Sequence, residues 1–189
     1  GVFREEDAGF YFGREPDLER LIAVVDRHPL AAIVGTSGSG KSSLARAGLV
    51  PYLRRPTGER IWQVAQMTPG NDPFLALARA LVPLCEPERI LTWSQGHVAN
   101  ECDRLAQRLE QEGSGYLPQV LRQILAQEPG TTHLMLLVDQ WEEVYTKLPT
   151  DGETAGTHAM RVRLFIQMLL ESVRDAALQV VLTLRADTW

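Results

Sequence analysis

Residues 35–42 form a glycine-rich turn that ends in Lys-Ser, and its sequence is Gly-Thr-Ser-Gly-Ser-Gly-Lys-Ser. A short apolar run, residues 30–34, comes directly before it, and a helical pattern over residues 41–53 comes after it. Glycines lack a Cβ, so the backbone can turn sharply there and approach an anion closely. A helix that follows such a turn points its positive N-terminus at that anion. The segment therefore predicts a buried strand, a phosphate-binding loop and a helix in succession.

The loop matches the Walker A pattern of nucleotide-binding proteins, in which each position has a chemical role. Lys41 is expected to reach the β and γ phosphates, and the hydroxyl of Ser42 to contact Mg²⁺. A flexible linker can match the pattern by chance, but the strand before it and the helix after it favour the phosphate site. The candidate nucleotide-binding residues are Gly35, Thr36, Ser37, Gly38, Ser39, Gly40, Lys41, Ser42 and Ser43.

Strand-like and helical patterns alternate along the rest of the chain, which is typical of an α/β fold with a parallel sheet. Helical patterns start near Pro16, Asp72 and residues 97, 117 and 158, and Pro51 is expected to end or kink the helix after the loop. The predicted strands are residues 30–34, 61–67, 133–139 and 178–185.

Asp139 stands at the end of the apolar run 133–138, where parallel sheets bind ligands. Beside a phosphate loop, such a carboxylate can hold Mg²⁺ directly or through water. Glu142 and Glu143 follow within one turn, and either can serve as the general base that activates water. The residue directly after Asp139 is Gln140, where many ATPases have their catalytic glutamate, so Glu143 is the preferred base. Taken alone, this run also fits a strand that ends in a solvated acidic turn.

Two further segments have a functional and a structural interpretation. Arg185 ends the last predicted strand and can sense the γ-phosphate, or it can pair on the surface with Asp187. The segment Phe12–Glu15 can contact nucleotide, or it can be a hydrophobic staple for the helix that starts at Pro16. The residues by themselves do not decide between these alternatives.

Composition excludes several classes for this chain of 189 residues, which is 44% hydrophobic and 23% charged. We expect a packed core and no membrane helix, because no apolar run approaches about 20 residues. The net charge of −5 argues against nucleic acid as a general partner. Cys85 and Cys102 lack metal-ligand spacing. No targeting peptide is recognisable, so a cytoplasmic protein is expected, and the first residue, Gly1, suggests a fragment of a longer chain.

Several stretches together resemble the nucleotide-binding domain of bacterial STAND ATPases, most closely the novel STAND group. These stretches follow the family's order and cover nearly the whole chain. They are FREEDAGFYFGRE, VGTSGSGKSSLARAGLVPYL, the turn NDPF, LLVDQWEEVY and VVLTLRAD.

The resemblance implies a P-loop NTPase fold, a three-layer α/β sandwich of the additional-strand class. In that class the last of the four predicted strands inserts between the first and the third. The resemblance also implies an N-terminal nucleotide segment and helix, residues 1–29, followed by the NTPase core, residues 30–189. The family's domain continues with a fifth strand, a helical lid and a winged helix, so this chain is expected to stop before them.

Residue roles also follow from the resemblance. Phe12, Gly13 and Arg14 would lie near adenine and ribose, and Arg185 would be the first sensor. The acidic stretch resembles the NACHT pattern, which supports Glu143 as the base, although Gln140 departs from the usual glycine.

Family members are regulatory switches, and the resemblance implies the same for this chain. ADP holds them closed, and exchange for ATP lets them self-associate and drive an effector. The resemblance thus implies Mg²⁺-dependent ATP and ADP binding, slow hydrolysis, and sensor and effector domains outside this chain. Many such bacterial proteins serve in signalling or in defence against phage.

Two other functions stay open at this level. The chain can be a nucleotide-binding scaffold without meaningful hydrolysis, which Gln140 favours. It can also be a nucleic-acid motor, although the −5 charge weakens this and the arginines at 46, 54, 55 and 60 fit a solvated face better. ATP is expected rather than GTP, because the chain has no Asn-Lys-x-Asp motif.

Overall fold

A computed structural model describes residues 14–55, 60–147, 155–174 and 177–188. Within them the chain forms one parallel sheet of four strands in the order β1-β4-β3-β2. The last strand therefore lies between the first and the third, as expected. The strands are β1 (Leu30–Gly35), β2 (Trp62–Met67), β3 (His133–Val138) and β4 (Leu178–Arg185), close to the predicted ranges.

Helices connect the strands, as the alternating pattern predicts. Short 3₁₀ turns separate some of them, and the glycine-rich loop joins β1 directly to α2. The helices are α1 (Glu15–Val25), α2 (Lys41–Ser43), α3 (Val50–Leu53), α4 (Pro73–Cys85), α5 (Gln95–Glu112), α6 (Leu117–Gln127), α7 (Glu143–Thr146) and α8 (Ala155–Ser172).

The sheet is buried on both faces, which makes the described part of the chain a three-layer α/β structure. Successive residues of β3 alternate between two hydrophobic cores: Leu136 packs in one and Leu137 in the other. One core contains apolar residues of α4, α5, α6 and α8, and the other contains those of α1 and of the helical stretch after the loop. A strand that is apolar on both faces is typical of a sheet covered on both sides by helices.

The helical stretch after the loop differs from the prediction at Pro51. The chain forms a π-helical segment, Leu44–Leu49, between α2 and α3, and it continues as helix to Leu53. Proline has no N–H group and cannot complete the regular i→i−4 pattern. The expected interruption therefore takes the form of a wider turn before Pro51, not an end of the helix there.

Arg161 on α8 links three helices of the larger core layer. Its guanidinium donates to both carboxylate oxygens of Glu110 on α5, at 2.7 and 3.1 Å. It also contacts Asp72 at 3.2 Å. Asp72 in turn caps α4 by accepting from the N–H of Leu75 at 3.0 Å. The hydrogen bond with Glu110 raises the pKa of Arg161 above its ordinary value, so the guanidinium stays charged.

Replacing Arg161 by methionine should lower the free energy of unfolding by roughly 1.5–3 kcal/mol, because it removes charged hydrogen bonds that are partly shielded from water. Urea unfolding followed by circular dichroism would measure the loss. Arg163→Met is the control, since Arg163 is exposed on the same helix. An equal, small loss in both variants would show that the Arg161 network contributes nothing specific.

The two cysteines pack inside the helical layer and form no disulfide. Burial, with a smaller contribution from Glu86, raises the pKa of Cys85 to about 11. Burial also raises the pKa of Cys102. Both thiols are therefore poor nucleophiles, as expected for packing residues. In the described part of the chain, no helix is long and apolar enough to cross a lipid bilayer.

Candidate functional site

The glycine-rich loop leaves β1 at Gly35 and turns through two glycines with positive φ. Gly38 has φ = 75° and Gly40 has φ = 82°, a conformation that residues with a Cβ rarely adopt. A Cβ at position 40 would lie 2.8 Å from Nη1 of Arg14, the end of a flexible side chain that can move, so the positive φ and not space requires glycine there. The Arg14 guanidinium, at the N-terminus of α1, thus lies against the loop.

Lys41 and Ser42 are the first residues of the helix after the loop. The ammonium of Lys41 donates to the carbonyl oxygens of Gly35 and Thr36, at 2.8 and 2.7 Å, so its side chain folds back over the loop. The hydroxyl of Ser42 donates to Oδ1 of Asp139 at 2.7 Å, across 97 residues of sequence. The loop and the end of β3 therefore meet directly.

Asp139 is 4% exposed and is bonded at both carboxylate oxygens. Oδ1 accepts from Ser42, and it also accepts from the hydroxyl of Thr183 on β4 at 2.5 Å. Oδ2 pairs with Nη2 of Arg46, in the π-helical segment, at 2.8 Å. A buried carboxylate needs such partners, because an unpaired charge away from water is costly. Side chains from three elements thus hold this carboxylate in one orientation.

The turn after Asp139 is fastened to β4 through Thr183. The N–H of Gln140 donates to the Thr183 hydroxyl at 2.9 Å, and the N–H of Trp141 donates to the backbone carbonyl oxygen of Thr183 at 2.9 Å. Gln140 has φ = 56°, a left-handed conformation that is uncommon for a residue with a side chain. This turn fixes the direction in which Glu142 and Glu143 leave the sheet.

The two glutamates have different partners. Glu142 is 6% exposed, and its Oε2 accepts from the backbone N–H of Arg185 at 3.3 Å. Glu143 begins α7, and its Oε2 accepts from the N–H of Gly70 at 3.2 Å. Its Oε1 pairs with the ammonium of Lys147, one helical turn further on, at 2.8 Å. Both carboxylates lie in the same cleft, and each is already engaged by protein groups.

Arg185 ends β4 directly beside Gly35, its register partner on β1. Its guanidinium forms two hydrogen bonds with Asp187, at 3.2 and 2.8 Å. These bonds raise the pKa of Arg185 and lower the pKa of Asp187, so both groups are charged. The surface pair with Asp187, one of the two interpretations of Arg185 from the sequence, is therefore present. Arg185 also lines the cleft described in the next paragraph.

A cleft of about 530 Å³ lies between the loop and the ends of β3 and β4. It brings the loop together with Glu142, Glu143 and Arg185, as the carboxyl ends of parallel strands are expected to do. A second groove, of about 460 Å³, lies between α1 and β1 and is lined by Arg14 and Lys41 among others. Phe12 and Gly13, which the resemblance to STAND ATPases implies lie near adenine and ribose, are outside the described residues.

Four residues in or beside this cleft were not singled out for a role in the site by the sequence analysis. They are Gly70, Thr183, Lys147 and Arg46. Thr183 leaves a signal, a lone hydroxyl within an apolar strand, and Lys147 is one of only two lysines in the chain. Nothing in the local sequence distinguishes Arg46 from the other arginines near it. Its assignment to a solvated arginine face was wrong, because it is paired with buried Asp139.

The oxygen groups at the end of β3 suit a hard divalent cation. The hydroxyl of Ser42 and Oδ1 of Asp139 lie 2.7 Å apart, at the base of the glycine-rich loop. Mg²⁺ is commonly bound by one or two such protein oxygens, with phosphate and water as the other ligands. Among the described residues, no group of three or more His, Cys, Asp or Glu side chains is arranged to hold a metal ion.

Comparison with known proteins accounts for this combination of loop, acidic strand end and cleft. The whole chain, residues 1–189, matches the profile of one family, described as Novel STAND NTPase 1. A search of curated proteins finds no match. The match spans all segments that build the cleft, including the loop and the ends of β3 and β4. The chain therefore belongs to the Novel STAND NTPase 1 family, and it is a nucleotide-binding domain of the STAND type.

Proposed function

We propose that this chain is the Mg²⁺-dependent ATP- and ADP-binding switch of a longer signalling ATPase. The observation that carries the proposal is the hydrogen bond between Ser42 and Asp139 at the base of the glycine-rich loop. It joins a phosphate-binding element to a buried carboxylate at the end of a neighbouring strand. That combination is how P-loop proteins hold a nucleotide together with its metal.

The loop and the helix after it would bind the phosphates. Lys41 would exchange its two carbonyl partners for phosphate oxygens, which are stronger acceptors because they are charged. Ser42 and Asp139 would hold Mg²⁺, which neutralises the phosphate charge when bound. Arg14, whose guanidinium lies next to Gly40, would contact the nucleoside.

Hydrolysis in this proposal is slow. Glu143 would orient or deprotonate the attacking water, but it must first leave its partners Gly70 and Lys147. Arg185 would sense the γ-phosphate after release from Asp187. A base that must exchange its protein partners before each turnover would keep hydrolysis slow. Slow hydrolysis suits a regulatory switch better than a metabolic enzyme.

The wider role follows from family membership and is part of the same proposal. ADP would hold the full protein closed, and ATP would allow it to self-associate and activate an effector domain. The trigger and the effector reside in other parts of the full protein, and signalling in bacterial defence is the proposed setting.

Thermal unfolding with ADP, ATP and GTP, each with and without Mg²⁺, tests the proposal. A nucleotide at 100 times its Kd should stabilise the fold by about 2.7 kcal/mol. For a chain of this size, that corresponds to a rise in Tm of about 5–10 °C. We expect the rise with adenine nucleotides, a larger one with Mg²⁺, and none in Lys41→Ala.

Arg104→Ala serves as the matched control, because it removes an exposed cation on α5. This variant should keep the full shift. Equal rises in Tm with GTP and with the adenine nucleotides would contradict the proposed preference for adenine. Absence of any shift at millimolar nucleotide, in this chain and in the full-length protein, would contradict the switch.

A second candidate, a nucleotide-gated scaffold without hydrolysis, is favoured by the engagement of both glutamates. Glu142 is held by the backbone of Arg185, and Glu143 by Lys147 and Gly70. Release of phosphate over several turnovers separates the two functions. Binding without turnover in the full-length protein would favour the scaffold.

A further inference from the structure

The pairing of Arg46 with Asp139 is not needed to bind phosphate, so it calls for its own explanation. Asp139 already accepts two hydroxyl hydrogen bonds at Oδ1, from Ser42 and Thr183. Two hydroxyls orient the carboxylate but leave its negative charge uncompensated. Arg46 supplies the missing charge at Oδ2, at 2.8 Å.

The position of Arg46 follows from the helix after the loop. Ser42 and Arg46 are four residues apart, so a helix presents both on one face, and both reach the same carboxylate. Arg46 lies in the π-helical segment Leu44–Leu49, a type of turn that is rare and often found at functional sites.

We propose that Arg46 is the internal counter-ion of Asp139 and sets how strongly the site binds Mg²⁺. This inference rests on the proposed function and deepens it. A cation beside a carboxylate reduces the negative potential that a second cation meets there. Arg46 thus stabilises Asp139 in the metal-free domain and weakens Mg²⁺ binding, which makes Arg46 a positioning residue and not a ligand.

The same geometry gives Arg46 a role in switching. The loop helix carries Lys41, which would meet the phosphates, and Arg46, which meets the carboxylate at the end of β3. Mg²⁺ would compete with Arg46 for the negative charge of one carboxylate, that of Asp139. A nucleotide that arrives with Mg²⁺ therefore weakens the Arg46 pair and loosens the link between this helix and β3.

The test measures the Mg²⁺ dependence of nucleotide binding, not turnover. A fluorescent ADP analogue is held at fixed concentration, and Mg²⁺ is titrated into protein from which metal has been removed with EDTA. Electron paramagnetic resonance of Mn²⁺, used in place of Mg²⁺, measures bound metal independently. In Arg46→Met, half-saturation should occur at Mg²⁺ concentrations lower by about tenfold. Arg46→Lys keeps the charge and should stay close to wild type.

The control is Arg104→Met, which removes an exposed ion pair with Glu101 on α5 and should leave the metal dependence unchanged. An unchanged or higher Mg²⁺ requirement in folded Arg46→Met would overturn the inference. If Arg46→Met does not fold, Arg46→Gln is used under the same criteria. Wild-type protein that binds no nucleotide would instead defeat the proposed function, so the two failures are distinguishable.

Discussion

Replacing Glu143 by glutamine is expected to lower ATP turnover at least about 100-fold and to leave ADP binding nearly unchanged. Glutamine keeps the size of the side chain and its ability to accept the N–H of Gly70 at one oxygen. It cannot take a proton from water, and it loses the ion pair with Lys147. Phosphate release over several turnovers, measured together with fluorescent ADP binding, gives both quantities.

Glu142→Gln is the matched control for this experiment. Glu142 accepts a hydrogen bond from the backbone of Arg185 through Oε2, and a glutamine oxygen can accept the same bond. Its turnover should therefore stay within a few-fold of wild type. The reverse pattern, a large loss in Glu142→Gln and a small one in Glu143→Gln, would assign the base to Glu142.

Replacing Phe165 by alanine is expected to lower the free energy of unfolding by about 3–5 kcal/mol. Phe165 on α8 is fully buried, and its ring packs edge-on against Phe74 of α4 with centroids 5.3 Å apart. It also stacks on Trp141, in the turn after Asp139, at 6.2 Å. The substitution leaves a large cavity where α4, α8 and the acidic turn meet, which other side chains cannot fill without moving.

Urea unfolding followed by circular dichroism would measure this loss. Leu164→Ala is the control, because Leu164 is the neighbouring residue on α8 and is 42% exposed. Leu164→Ala should lower the free energy of unfolding by well under half as much as Phe165→Ala, because much of the Leu164 side chain is already exposed to water. Similar losses for the two variants would show that the aromatic cluster does not dominate the packing of α8.

Much of the fold could be predicted from the sequence because its signals are local. Residues 134–138 are apolar on both faces and buried, which is typical of a strand between two helical layers. Asp72 and Pro73 are the cap and first residue of α4 because short polar side chains and proline suit those positions. The sequence left open whether Pro51 ends or kinks its helix, because the effect of a proline depends on whether the preceding turn can widen.

In the candidate site, too, some features were predictable from the local sequence and others depend on distant residues. The loop residues follow one another in sequence, and their glycines allow the positive φ angles that the turn needs. The direction of each acidic side chain depends on partners far along the chain. Glu143 reaches Gly70, 73 residues away, and Asp139 reaches Ser42, 97 residues away.

The sequence by itself determined the alternation of strands and helices, the glycine-rich loop and the position of an acidic strand end, because each depends on neighbouring residues and their periodicity. Only the tertiary structure decided that Arg46 pairs with Asp139, which lies far along the chain. Charges attract any opposite charge within reach, so their sequence does not specify a partner. The partner is chosen by which side chains the sheet order brings together and which of them are removed from water.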